Sequence, residues 1–109
     1  MRATFDGPVM IAESSPAFID FGSAAGAQAA WNTWFTPYFS LIASRSEILW
    51  FHYINFDWTV SNHYLGNGWK NNDLAANAGL MAKYTAELGA AKYLHSGERA
   101  LLKDYVRYQ

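Results

Sequence analysis

The chain has 109 residues with eight Lys and Arg against nine Asp and Glu, so its formal net charge is only −1. At most one domain fits in this length. The lack of a basic stripe argues against nucleic-acid binding, and no apolar run approaches the roughly 20 residues that a membrane-spanning helix needs. No cysteine occurs, which excludes disulfides and thiolate metal sites.

Aromatic residues are unusually frequent, at 17%, with five Trp, seven Tyr and seven Phe. Large rings usually belong to a core. A chain of this size, however, buries only roughly 65% of the surface that its unfolded form exposes. Either the core is unusually aromatic, or some of these rings face a ligand or a missing partner.

The first predicted element is a strand over Val9–Ala12, which ends at Glu13. A short apolar run between turn signals is typical of a strand buried on both faces, as in a parallel sheet. Period-two alternation places Glu13 on the side of Val9 and Ile11. The C-terminal ends of parallel strands carry the chemistry in α/β sheets and barrels, so Glu13 is a candidate functional residue.

A helix is predicted next, from about Ala24 to Ser44. Its apolar residues recur at spacings of three and four and form a wide stripe: Trp31, Trp34, Phe35, Tyr38, Phe39 and Ile42. Pro37 is expected to kink or break the helix, because proline lacks the N–H group and clashes with the carbonyl one turn earlier. Thr36 can cap a second segment that begins at Pro37.

A second strand is predicted over Ile48–Asn55, again apolar on both faces. Polar and aromatic groups, Asp57 and Trp58, follow at its C-terminal end. A strand, a helix and a strand with short connections predict a right-handed βαβ unit with parallel strands. His52 is one residue out of phase with Tyr53 and is expected to face the surrounding helices as a core residue.

The C-terminal part is predicted to be a long loop over 59–77 followed by helices. Asn77 is a good N-cap and Gly89 the expected stop of a helix whose buried face carries Leu80, Tyr84 and Leu88. A further helix is predicted from about Glu98 to Tyr108.

The two predicted strands do not make a complete sheet. Both are apolar on two faces, as central strands are, and a sheet of two leaves each with an uncovered flank and an unpaired edge. The predicted fold is therefore α/β, with two parallel strands and three to four helices that form a piece of something larger.

Four stretches together resemble the C-terminal part of a retaining glycoside hydrolase with a (β/α)8 TIM barrel, most closely family 26, the β-mannanase-like enzymes of clan A. Residues 7–14 (GPVMIAES) resemble the seventh strand, and residues 31–39 (WNTWFTPYF) resemble the helix after it. Residues 51–58 (FHYINFDW) resemble the eighth strand, and residues 68–69 (GW) with the Asn/Asp-rich turn that follows resemble the closing helix. The resemblance is strongest over 7–90 and implies that 1–109 is the last two βα units of a catalytic barrel. Residues 91–109 are expected to form a C-terminal helical tail.

The resemblance implies that Glu13 is the catalytic nucleophile for a β-linked, mannan-like polysaccharide. A retaining enzyme also needs an acid/base carboxyl about 5–5.5 Å away. In the family this acid comes from the fourth strand, which the chain does not contain, so the chain is expected to be inactive alone. The parent enzyme is expected to be secreted, although no signal peptide is visible in this chain.

The resemblance also suggests a sugar-binding surface. Trp58 is expected to be the platform, because an indole face packs against the apolar face of a pyranose. Asn55 and Tyr53 can bond sugar hydroxyls or orient Glu13, and Asp57 is expected to be a hydrogen-bonding or structural residue. Trp69 is expected to be a further sugar contact. No cofactor is expected, and neither His63 nor His95 has metal-ligand spacing to a partner.

Three functions remain open from the sequence. The chain can be a piece of a retaining glycoside hydrolase that pairs with the missing part of the barrel. It can be a carbohydrate-binding remnant that holds sugar on Trp58 and Trp69 without chemistry. It can also be a small α/β interaction domain that self-associates through its open strand edges.

Overall fold

A computed structural model describes residues 6–64, 66–90 and 92–93. These residues form an α/β fold, as the sequence predicts. Its elements are β1 (Val9–Ile11), α1 (Ala24–Ala30), a π-helical turn (Trp31–Phe35), α2 (Thr36–Ser44), β2 (Ile48–Phe51), two 3₁₀ turns (Trp58–Val60 and Leu74–Ala76) and α3 (Ala78–Leu88). The helix predicted over Glu98–Tyr108 lies outside the described residues.

The two strands are parallel neighbours, as predicted, and Met10 pairs with Trp50 in their register. β2 is shorter than the predicted strand, but backbone bonding continues beyond it. The N–H group of His52 donates to the carbonyl of Ile11 at 3.0 Å, and that of Ile54 donates to the carbonyl of Ser14 at 2.9 Å. The chain after β2 therefore stays beside the loop that follows β1.

One face of this small sheet is open. Met10 is 54% exposed and its register partner Trp50 is 38% exposed. On the opposite face, Phe51 packs against Tyr38 and Phe39 of α2, with ring centroids 5.8 and 6.1 Å apart. The expectation that both strands are buried on two faces is wrong for the described chain, because the helices cover only one side.

The predicted orientation of His52 is also wrong. His52 is exposed, whereas Tyr53 turns toward the helices and its ring centroid lies 5.3 Å from that of Phe35. Alternation along the strand explains both positions, since Phe51 already faces α2 and the residue after it must face the other way. The open face therefore carries Met10, Trp50 and His52.

The long helix runs from Ala24 to Ser44, as predicted. The Ser23 hydroxyl caps its start by accepting from the N–H group of Gly26 at 2.9 Å. A kink or a break is predicted at Pro37, and the structure has no break there. The helix instead widens in the turn before it, where the N–H group of Thr36 bonds to the carbonyl of Trp31, five residues earlier. Thr36 has helical dihedrals (φ −61°, ψ −49°) and is not a cap.

The π-helical turn aligns the buried face of α1 with the buried face of α2. The buried side chains are Ala27, Ala30, Phe35 and Phe39, at spacings of three, five and four. In a regular α-helix a five-residue step turns the side chain by about 140° from the face it left. The π turn takes up the extra residue, so that Ala30 and Phe35 point into the same core.

Phe35 is the centre of that core and is fully buried. Its ring lies against rings from the loop after β1, the same helix, the segment after β2 and α3: Phe21, Trp31, Trp34, Phe39, Tyr53 and Tyr84. Many of the aromatic residues therefore pack the helices against one another and against the sheet.

α3 closes the core from the other side. The Asn77 side chain caps its start, as predicted, by accepting from the N–H group of Leu80 at 2.9 Å, and the helix ends before Gly89. Leu80 is buried and Tyr84 is half-buried against Phe35. Burial raises the pKa of the Tyr84 hydroxyl to about 12. Across the described ranges, no helix is long and apolar enough to cross a membrane.

Candidate functional site

Three segments meet beyond the C-terminal ends of the strands. The loop after β1 is joined to the 66–73 loop by the N–H groups of Phe18 and Phe21, which donate to the carbonyls of Gly68 and Asn71 at 2.7 and 2.9 Å. The 66–73 loop is joined in turn to the segment after β2, because the N–H group of Asn72 donates to the carbonyl of Phe56 at 3.1 Å. Backbone bonds thus build one layer over this end of the sheet.

Glu13 lies at the start of this layer and its side chain is exposed. Val9 and Ile11, on whose side alternation predicts Glu13, are half-buried, but β1 ends at Ile11, so strand alternation does not set the position of Glu13. The next residue holds the backbone in place: the Ser14 hydroxyl donates to the His52 carbonyl at 2.5 Å and lies 2.9 Å from the Tyr38 hydroxyl. Among the residues that the structure describes, none forms an ion pair or hydrogen bond with the Glu13 carboxylate.

Trp58 is brought to the same layer. Its indole Nε1–H group donates to the Ser15 hydroxyl at 3.2 Å, two residues beyond Glu13. The ring packs in an aromatic cluster, which consists of Phe56, Trp58, Tyr64 and Trp69, with centroid distances to Trp58 of 5.1, 4.7 and 5.0 Å respectively. The structure therefore brings together the loop of Glu13 and both tryptophans that the sequence predicts as sugar contacts.

The hydroxyl of Tyr53 is bonded within this layer. It donates to the carbonyl of Asn72 at 2.7 Å. Burial is the main reason that the pKa of this hydroxyl lies well above its ordinary value, and the neighbouring Tyr84 and Asp73 raise it further. Tyr53 therefore stays protonated at neutral pH and ties the segment after β2 to the 66–73 loop.

Asn55 and Asp57 hold backbone turns. The side-chain Oδ1 atom of Asn55 accepts from the N–H group of Leu74 at 2.7 Å, and its Nδ2 atom donates to the Asp73 carboxylate at 3.3 Å. The Asp57 carboxylate accepts from the N–H group and the hydroxyl of Thr59 at 3.0 and 2.6 Å. These contacts give both residues a structural role, and their contact with a sugar stays a prediction.

Asn72 is the residue that sequence reasoning missed. It is fully buried, and its side chain accepts from the Ser15 hydroxyl and donates to the carbonyl of Ile19, both at 2.9 Å. Its backbone contacts Phe56 and Tyr53. The sequence offers a run of polar residues, Asn71 to Asp73, with no sign of which one is buried. Only the meeting of three distant segments identifies it.

The Phe18 side chain marks the edge of the layer. Phe18 is 77% exposed and has a φ of 64°, a left-handed conformation that is rare for a large side chain. Its ring lies over Gly68, where a Cβ atom would overlap it. Gly66 has the same φ of +81° as Gly68, but no atom lies within 4 Å of a Cβ built there.

We expect Gly68→Ala to destabilise the chain more than Gly66→Ala. Both alanines must adopt a left-handed conformation, which costs roughly 1–2 kcal/mol, but only the alanine at 68 must also displace the Phe18 ring. Urea denaturation of the two variants measures the difference in the free energy of unfolding. Equal losses would show that Phe18 moves aside freely and does not hold this edge of the layer.

Within the part of the chain that the structure describes, no group of three or more His, Asp or Glu side chains is arranged to hold a metal ion. No family model matches the chain, and no curated protein matches its sequence. The resemblance to glycoside hydrolase family 26 and the roles that it implies therefore stay predictions.

Proposed function

We propose that this chain supplies the last two βα units of a retaining glycoside hydrolase barrel that cleaves a β-linked, mannan-like polysaccharide, with Glu13 as the nucleophile. The observation that carries the proposal is the placement of an exposed carboxylate just beyond the C-terminal end of a parallel strand, two residues from the serine that bonds Trp58. A carboxylate beside an aromatic platform is what attack on a bound sugar requires.

The chemistry divides between this chain and the rest of the barrel. The Glu13 carboxylate attacks the anomeric carbon, and the bond to the leaving oxygen breaks as a glycosyl ester forms. The leaving oxygen takes a proton from a second carboxyl group, which later draws a proton from the water that hydrolyses the ester. Asp57 is engaged by Thr59, so another strand of the barrel is expected to supply this acid.

The open face of the sheet supports the same proposal. Met10 and Trp50 lie side by side and exposed on the face that the helices leave uncovered. In a (β/α)8 barrel that face turns inward, where layers of side chains from other strands fill the interior. The remaining strands would therefore bury these two side chains.

Fragment complementation tests the proposal. The chain is mixed with a second polypeptide that carries the first six βα units of a family 26 β-mannanase, and hydrolysis of mannopentaose is measured. We expect no turnover from either part alone and turnover from the mixture, with none when the chain carries Glu13→Gln. A stable complex without activity would contradict the proposal. Turnover by the chain alone that requires Glu13 would show that the acid lies within it.

A second candidate function is self-association, which the exposed pair Met10 and Trp50 favours because two copies can bury these side chains against each other. Light scattering of the wild-type chain and of Trp50→Lys separates the two candidates. A defined oligomer that Trp50→Lys converts to a monomer, together with no complementation, would favour self-association.

A further inference from the structure

The orientation of the Trp58 ring is fixed by a hydrogen bond at the edge of the indole as well as by packing against neighbouring rings. An indole has a single hydrogen-bond donor, and the Nε1–H group of Trp58 donates to the Ser15 hydroxyl at 3.2 Å. Packing in the aromatic cluster restrains the tilt of the Trp58 ring, but by itself it allows the ring to slide within its own plane. The bond to Ser15 removes this freedom, so a ligand meets a ring with one orientation.

The Ser15 hydroxyl is itself oriented by a buried group. While it accepts from Trp58, it donates to the Oδ1 atom of Asn72 at 2.9 Å. The Nδ2 atom of Asn72 donates to the carbonyl of Ile19 at 2.9 Å, which fixes which end of the amide faces Ser15. Because Asn72 is fully buried, water cannot easily replace a lost partner there.

We propose that Ser15 and Asn72 are positioning residues, which set the orientation in which the half-buried Trp58 indole meets a sugar. Ser15 is two residues beyond Glu13, so one short stretch of chain carries both the nucleophile and the anchor of the platform. A rigid anchor sets the platform relative to the carboxylate. The inference rests on the proposed sugar role of Trp58 and adds the residues that set its geometry.

The indole N–H resonance of Trp58 reports the orientation directly. In the ¹⁵N-labelled chain, assigned by its loss in Trp58→Phe, this resonance should shift upfield in Ser15→Ala, and its exchange with water should quicken at least tenfold. Ser15→Thr keeps the hydroxyl and should restore the wild-type signal. Ser44→Ala removes a serine hydroxyl at the end of α2, bonded to the Leu41 carbonyl, and should leave the Trp58 resonance unchanged.

Sugar affinity reports the consequence. In titrations of the reassembled barrel with mannopentaose, every sample carries Glu13→Gln so that the sugar is not cleaved. Ser15→Ala should weaken binding by about 3- to 10-fold, the size of one hydrogen bond, and Trp58→Phe by at least as much, because it also removes indole surface. The double variant should bind no more weakly than Trp58→Phe alone, because the bond that Ser15→Ala removes is already lost there. Asn72→Asp keeps an acceptor for Ser15 but loses the donor to Ile19, and should give an intermediate loss of affinity.

The two measurements distinguish a wrong positioning role from a wrong sugar role. If the reassembled barrel binds mannopentaose but Ser15→Ala leaves the indole resonance and the affinity unchanged, the positioning role is wrong and the sugar role stands. If the indole resonance responds as expected but Trp58→Phe leaves the affinity of the reassembled barrel unchanged, the sugar role of Trp58 is wrong and the inference falls with it. Additive losses in the double variant would also overturn the inference.

Discussion

Replacing Glu13 by alanine in the reassembled barrel should lower the turnover of mannopentaose by roughly 10⁴- to 10⁶-fold, the range seen when a catalytic nucleophile or its partner is removed. The substitution removes the group that forms the glycosyl ester and leaves the platform at Trp58 in place. The loss should therefore fall on kcat, with KM changed little. Initial rates over a range of substrate concentrations measure both.

Azide distinguishes a lost nucleophile from a damaged fold. On a 2,4-dinitrophenyl β-mannoside, whose leaving group needs no proton, azide should restore turnover of Glu13→Ala and give the α-mannosyl azide. The anion occupies the space of the carboxylate, attacks the anomeric carbon from the same side and inverts it. Glu13→Gln fills that space and should not be rescued. Near-normal turnover of Glu13→Ala, or rescue without an inverted product, would show that Glu13 is not the nucleophile.

Phe35→Ala should be the most destabilising single substitution in the described core, with an expected loss of about 3–5 kcal/mol in the free energy of unfolding. The ring is fully buried and lies between the long helix, α3 and the segment after β2. Its removal leaves a cavity that rigid aromatic neighbours such as Tyr53 cannot easily fill. Urea denaturation followed by circular dichroism measures the loss.

Two further variants keep that result interpretable. Phe35→Leu retains most of the apolar volume and should fold with a smaller loss, even if Phe35→Ala does not fold. Leu41→Ala removes a side chain that is 46% exposed on the same helix, and should cost well under half as much. Comparable losses for Phe35→Ala and Leu41→Ala would contradict the position of Phe35 at the centre of the core.

Elements with a strong local signal could be predicted from the sequence. The long helix begins and ends at the predicted residues, because an apolar stripe spans it and polar turns flank it. The α3 helix begins after Asn77 and ends before Gly89, since an N-cap side chain and a helix-stopping glycine act within one turn of themselves. The two parallel strands follow from short apolar runs on either side of a helix.

Features that depend on distant contacts could not be predicted. The predicted orientation of His52 is wrong, because an apolar run carries no sign of which side the helices cover. Pro37 indicates an irregular helix, but whether the helix breaks or widens depends on the core that Phe35 must reach. The role of Asn72 depends on Ser15, which is 57 residues away in the chain. By contrast, the exposure of Glu13 follows from its place at the end of β1.

The five-residue spacing between Ala30 and Phe35 has a consequence for how the length of this helix can vary. Deleting Asn32 or Thr33, both exposed, would leave a spacing of four, which puts two side chains on the same face of a regular α-helix. A one-residue deletion elsewhere in the helix would rotate the buried side chains on one side of the deletion by about 100° relative to those on the other side. The shorter helix would also need a replacement for Pro37, since a regular turn brings its ring against the carbonyl four residues earlier. Related chains can therefore lose one residue here without losing the core, provided that the proline is lost with it.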